Sequence, residues 1–190
     1  IHPMDIREPW TEKTYNALRD MALSSSRVVA ISEIGLDYMP GMPDRGVQET
    51  YLREQVRLAR ELELPVIYHS REAYPQILDF LKDEKAEGVG VIAHYFEGDE
   101  ETAARCLEMG FYISLAKPLL RLPRLQEVVK KLPLERLVLE TDSYPQPWNP
   151  ESRDWTEPAH VRQVATKVAE LKGLSLEEVA NEPVSVAGHK

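Results

Sequence analysis

Two periods of apolar and polar residues take turns along this chain. Short, nearly continuous apolar runs stand at residues 28–34, 64–68, 89–93, 111–115 and 136–139. Runs of this kind, bounded by Gly, Pro or charge, predict strands buried on both faces. Their expected extents are Val28–Glu33, Leu64–Ser70, Val89–His94, Phe111–Leu115 and Leu137–Glu140. Between them the apolar residues recur at helical spacing. A helix capped by Thr11 runs through Ala22, a second spans Gln48–Glu63 and a third Tyr74–Asp83. Asp99 is placed to cap the next, and Gly110 to end it. Arg124–Leu132 is amphipathic, and Thr156 precedes a long helix with Val161, Val164, Val168 and Leu171 inward. Ser175–Glu178 matches a capping box. Ile1–Pro3 reads as the end of a strand whose beginning is absent.

Strands alternating with helices mean α/β architecture with a parallel sheet and helical crossovers. Two closures compete, a (β/α)8 TIM-type barrel and an open doubly wound sheet. No glycine-rich phosphate loop follows any strand, and polar side chains stand at the C-terminal end of nearly every one. The second feature favours the barrel, whose active sites lie on that face. The chain would then supply about six of eight β/α units in a single domain, residues 1–190, with the first strands missing.

The strand ends carry the chemistry. Glu33 follows the first apolar run, His69 the second, His94 the third and Asp142 the last. A carboxylate at the end of a buried strand is costly without a partner. Two imidazoles and two carboxylates suit Zn²⁺, and Mn²⁺ or Mg²⁺ as the carboxylate share rises. A metal-activated water would be the nucleophile, with Asp142 accepting its proton. Arg71, two residues past His69, is placed to hold a phosphate oxygen, and Lys117 is either a phosphate contact or surface charge. Asp37, four residues after Glu33, is a second acid at the mouth of the same strand.

Composition narrows this further. The net charge of −9 argues against broad electrostatic binding to nucleic acid, though not against a phosphate held by metal ions. The single cysteine, Cys106, rules out an internal disulfide and lies in a helical pattern, as a small buried residue would. It suits a reducing compartment, so a cytoplasmic location is expected. No apolar run is long enough to span a membrane, and nothing marks an obligate protein partner.

Five motifs, IHP at Ile1–Pro3, SEIGLDY at Ser32–Tyr38, VIYHSREA at Val66–Ala73, IAHYFEGD at Ile92–Asp99 and LETDSYP at Leu139–Pro145, together resemble the TatD family of metal-dependent DNases. That family lies within the amidohydrolase superfamily. The resemblance runs from Ile1 to about Asn181. It implies a (β/α)8 barrel with two or three divalent ions that hydrolyses phosphodiester bonds of DNA, often from the 3′ end. By position it implies Glu33 as bridging ligand, His69 and His94 as ligands, and Asp142 as ligand and base. His2 would contact substrate phosphate or the edge of the metal site. The family's His-x-His pair on its first strand is not in this sequence, so the chain is expected to be N-terminally incomplete. Ala116–Pro118, the order of Ser143–Pro145 and the residues past Asn181 also depart from the family pattern. The runner-up readings are another amidohydrolase reaction, on an ester, amide or lactone, and a truncated barrel that only binds.

Overall fold

The computed structural model describes residues 1–143 and 156–182. They form two compact units, the first from residues 1–94 and 104–112, the second from 95–103, 113–143 and 156–182.

In the first unit β1 (Ile31–Asp37), β2 (Val66–Arg71) and β3 (Val91–Ala93) lie side by side in that order, all parallel. Ile34 and Leu36 of β1, Val66 and Tyr68 of β2 and Val91 and Ala93 of β3 are fully buried. Three helices belong to this unit: α1 (Glu12–Leu23), α2 (Arg45–Glu61) and α3 (Tyr74–Asp83). Leu52, Val56, Leu58 and Ala59 from α2 and Ile77, Leu78 and Leu81 from α3 complete the core. Each large apolar side chain taken from water there contributes about 1.5–3 kcal/mol. Thr11 caps α1 as expected, accepting the Thr14 N–H at 3.2 Å.

Three expectations are corrected in this unit. The first strand begins at Ile31, whose N–H is taken by the Pro65 carbonyl, and runs on to Asp37. Val29 ahead of it is exposed, so Glu33 lies inside the strand instead of at its end. The second helix starts earlier than its apolar stripe, because the Asp44 side chain accepts the Val47 N–H and caps it. Ile1–Pro3 forms no strand; Pro3–Asp5 is one 3-10 turn, capped by the His2 ring.

β1 and β2 pair with a shift. Ile31 faces Val66, but Ile34 faces Tyr68, so Ser32 and Glu33 stand opposite one residue. Such a bulge re-aims a side chain. Past it the register is regular, with Gly35 against His69 and Asp37 against Arg71.

The second unit holds the paired part of β4 (Tyr112–Leu115) and β5 (Leu137–Leu139), parallel from Ile113–Leu137 to Leu115–Leu139. The first residues of α4 (Glu100–Glu108), up to Ala103, also belong here, with Asp99 accepting the Thr102 N–H at the start of the helix. α5 (Pro118–Arg121) and α6 (Pro123–Lys131) follow β4. α7 (Val161–Lys172) ends on Gly173 at φ 67°, a left-handed position that favours glycine. α8 (Leu176–Asn181) starts with the expected Ser175–Glu178 capping box. Thr156 does not cap the long helix. A 3-10 turn, Pro158–His160, capped by Glu157, comes before it. Residues 144–154 of the expected proline-rich loop lie outside the described residues. Among those described, no helix is long and apolar enough to cross a membrane.

Candidate metal centre

Strand order brings three of the expected residues together, and His2 joins them. Glu33 is at the bulge of β1, His69 in β2 and His94 directly after β3, where its N–H is bound by the Tyr68 carbonyl. One carboxylate oxygen, Glu33 Oε1, is the point of convergence. His94 Nε2 lies 3.0 Å from it, His69 Nδ1 3.6 Å and His2 Nε2 4.0 Å. The His2 and His69 rings meet edge to face, centroids 4.5 Å apart. Imidazole nitrogens gathered around a carboxylate are the donors that a borderline divalent cation takes, so this set fits such an ion. His2, Glu33 and His69 lie within ligating reach of one another.

Behind this cluster stands Asp37, fully buried. Its Oδ2 is 3.1 Å from His69 Nε2 and 3.5 Å from Arg71 Nη1, while its Oδ1 accepts the Met39 N–H. Gln48 of α2 clamps its backbone, accepting the Asp37 N–H and donating to the Asp37 carbonyl, each at 2.8 Å. Gln48 was not singled out in the sequence. Its signal is a glutamine on the inward stripe of α2, one turn ahead of Leu52. Gly35 is demanded by the same seam: a Cβ there would stand 1.9 Å from the His69 carbonyl oxygen.

Electrostatics favour the charged carboxylate. Burial pushes Glu33 upward, but its contacts to His69 and His94 outweigh this and hold it well below the usual carboxylate range. Burial first, and then neighbouring His69, lower the pKa of His2, which favours its neutral ring.

Arg71 is largely exposed and reaches Asp37. In the second unit Lys117 donates to the Thr156 hydroxyl at 2.7 Å. Asp142 is exposed, at φ 50°, a left-handed conformation that aspartate tolerates. Glu140, two residues before it, accepts the Tyr95 N–H at 2.7 Å. Cys106 is fully buried against the Tyr68 hydroxyl, and burial pushes its thiol up to about 11, which leaves it inert as a nucleophile.

The family model described as TatD related DNase matches residues 1–185. The chain belongs to the TatD-related DNases. It is 37% identical over 182 residues to the uncharacterized metal-dependent hydrolase YabD of Bacillus subtilis, covering 95% of this chain and 71% of that protein. It is 32% identical over 190 residues to the deoxyribonuclease TATDN3 of Homo sapiens, covering 94% and 68% respectively. The solved structure of the TatD homologue YJJV from Escherichia coli superposes with a TM-score of 0.80 at 29% identity, over 91% of this chain and 68% of the other. The TatD-related chain is thus a metal-dependent hydrolase, and its α/β fold is the TIM-type barrel class of its relatives.

Proposed function

We propose that this TatD-related hydrolase cleaves phosphodiester bonds of DNA. One observation carries the reading: three imidazole nitrogens converge on Glu33 Oε1 at 3.0–4.0 Å in a chain of this family. Glu33, His69 and His94 would hold the ions, Zn²⁺, Mn²⁺ or Mg²⁺, two in a complete site. When bound, such ions lower the pKa of water and neutralise charge on a phosphoryl group.

The chain's own residues divide the rest. Glu33 stays ionised, so its carboxylate offers two oxygens without first shedding a proton. His2, half-buried beside it, faces where an anionic oxygen would come. Arg71, with its guanidinium mostly in solvent, would donate two N–H bonds to a phosphate group. Asp142 is proposed as ligand and proton acceptor, and Lys117 as a substrate contact, from their motif positions alone. The proposal takes the 190 residues as one hydrolase domain acting in the cytoplasm.

The test is hydrolysis of a 5′-labelled single-stranded oligonucleotide by metal-free protein reloaded with Mg²⁺, Mn²⁺ or Zn²⁺, run beside a carboxylic ester and a lactone. Shortening of the oligonucleotide that depends on the ion and is lost in His94→Ala supports the reading. Ion-dependent turnover of the ester or lactone with the oligonucleotide intact would overturn it.

A further inference from the structure

Past the end of β1 the chain makes a tight turn. The Met42 N–H closes on the Met39 carbonyl at 3.2 Å, with Pro40 and Gly41 between them and Gly41 at φ 88°. Proline second and a left-handed glycine third mark a type II turn, which brings its first and fourth residues together. Here those residues are two methionines, Met39 40% exposed and Met42 half-buried. Next to the turn, the guanidinium carbon of the exposed Arg45 lies 4.3 Å from the centre of the Tyr38 ring, a cation–π stack. The Tyr38 hydroxyl is anchored on Glu49 at 3.2 Å. Among the described residues the Arg45 guanidinium has no hydrogen-bond or ion-pair partner, so the ring face is what sets its plane.

These side chains line a cavity of about 350 Å³. That is at the small end of small-molecule sites, about 300–1,000 Å³. The cavity shares a wall with the metal centre, because Asp37 lines it and also reaches His69 Nε2 at 3.1 Å. The Tyr38 N–H is bound by the Arg71 carbonyl at 3.0 Å, which ties the cavity to the strand end that carries Arg71. Its charge is wrong for a phosphate: two carboxylates, Asp37 and Asp44, line it against the single cation Arg45. A flat, neutral, polarisable ring is a better match. It would meet a guanidinium plane and two soft thioethers, with the exposed Asp44 carboxylate able to accept from a ring N–H or amino group.

We propose that the cavity at Tyr38, Met39, Met42 and Arg45 seats one nucleobase of the substrate, stacked on the Arg45 guanidinium, with the attached phosphate toward Arg71. This rests on the phosphodiester reading above and adds the part of the nucleotide that reading leaves unplaced. Every base has a π face, so a stacking seat registers that a base is present more than which base it is. Tyr38 acts through Arg45, as the positioning residue that holds the guanidinium flat.

The experiment watches the methionines. Protein carrying ¹³C-labelled methionine methyl groups is titrated, with and without Zn²⁺, against two probes. One is trideoxyadenylate with phosphorothioate links, which resist cleavage; the other is the same sugar–phosphate chain with abasic sites. Met39→Leu and Met42→Leu assign the two signals that matter. Both methyl signals are expected to move upfield with trideoxyadenylate, through the ring current of a stacked base, and to stay in place with the abasic chain. Met21 and Met109 are the controls and are expected to move with neither. Arg45→Lys keeps the charge and removes the plane, so trideoxyadenylate is expected to bind about 5–150-fold more weakly, the range of one stacked base, with the abasic chain unaffected. Methyl signals that move alike with both probes, or with neither under both conditions, would overturn the proposal. So would an Arg45→Lys protein that binds trideoxyadenylate as wild type does, or loses affinity for both probes equally. Hydrolysis of the labelled oligonucleotide is scored separately. Cleavage with unmoved Met39 and Met42 signals strikes out the base seat alone, whereas moving signals without ion-dependent cleavage strike out the phosphodiester reading alone.

Discussion

The two units carry their polar strand ends very differently. In the first, Glu33, His69 and His94 are half-buried or buried, and the rings touch one carboxylate oxygen within a hydrogen-bond length or slightly beyond. The regular β1–β2 register from Ile34 to Asp37 fixes the His69 backbone, Glu33 sits at the bulge just before it, and the His94 N–H is held by the Tyr68 carbonyl. In the second, the β4–β5 ladder ends at Leu115 and Leu139, and the Glu140 N–H on the Leu115 carbonyl is its last bond. Asp142 stands two residues past that bond, exposed and in a left-handed conformation. Side chains carried on paired backbone are preorganised by the core, which suits the ion-holding role proposed for the first group; Asp142, past the last paired residues, carries the proposed proton-accepting role.

That contrast predicts opposite signatures for the two carboxylates. Asp142→Asn should lower turnover of the labelled oligonucleotide by about 10²–10⁴-fold while metal content, read by elemental analysis, stays close to wild type. Near-normal rates would remove Asp142 from the chemistry. Glu33→Ala should do the reverse first: Zn²⁺ affinity falls by about 100-fold or more, beyond what loss of an outer partner costs, and turnover follows. Unchanged metal content would leave Glu33 an ion-pair partner only.

The seam between β1 and β2 is the next place to press. Gly35→Ala puts a methyl group into the His69 carbonyl, backbone against backbone, and neither strand can yield without breaking the ladder. A loss of about 3 kcal/mol or more in urea unfolding is expected, at the upper end of overpacking. A loss under about 1 kcal/mol, typical of surface changes, would mean the seam is looser than it looks.

The smallest effect is the pH response of the metal-free protein. Folding lowers the pKa of His2 from 6.5, through burial and then His69, and lowers that of Glu33 from 4.5 as its histidine contacts overcome burial. The unfolded chain therefore takes up these protons first as pH falls. Stability contributed by His2 is complete above about pH 6.5 and is lost below it; that of Glu33 is complete above about pH 4.5 and is lost lower still. Urea midpoints from pH 8 to 4 should decline, and His2→Gln should flatten the upper part of that decline.

Much of this was legible in the sequence. Apolar runs located β2 and β5 and the alternation with helices, and the residues that end those runs named Glu33, His69 and His94. What could not be read has physical causes. The start of β1 depends on which backbone N–H first finds a partner across the sheet, and Val28–Ala30 are as apolar as Ile31 yet have none in β2. Asp37 was visible as an acid, but its bond to the far side of His69 follows from parallel register two residues on. Gln48 is a polar residue on an inward stripe, and only the packed helix shows that it serves the backbone of another element. The turn that orients His2 is a backbone contact, which no side-chain pattern encodes.

Gly35 also bears on how such a chain can change over descent. Its constraint comes from main chain meeting main chain, so it owes nothing to catalysis. A descendant that had lost Glu33, His69 and His94 would still be held to glycine at 35 as long as β1 and β2 stayed adjacent. The three proposed ligands would drift once activity ceased to matter, each at its own pace. Glycine kept where the ligands have gone would therefore mark a scaffold that has outlived its chemistry, and the four positions together separate ancestry of the barrel from ancestry of the reaction.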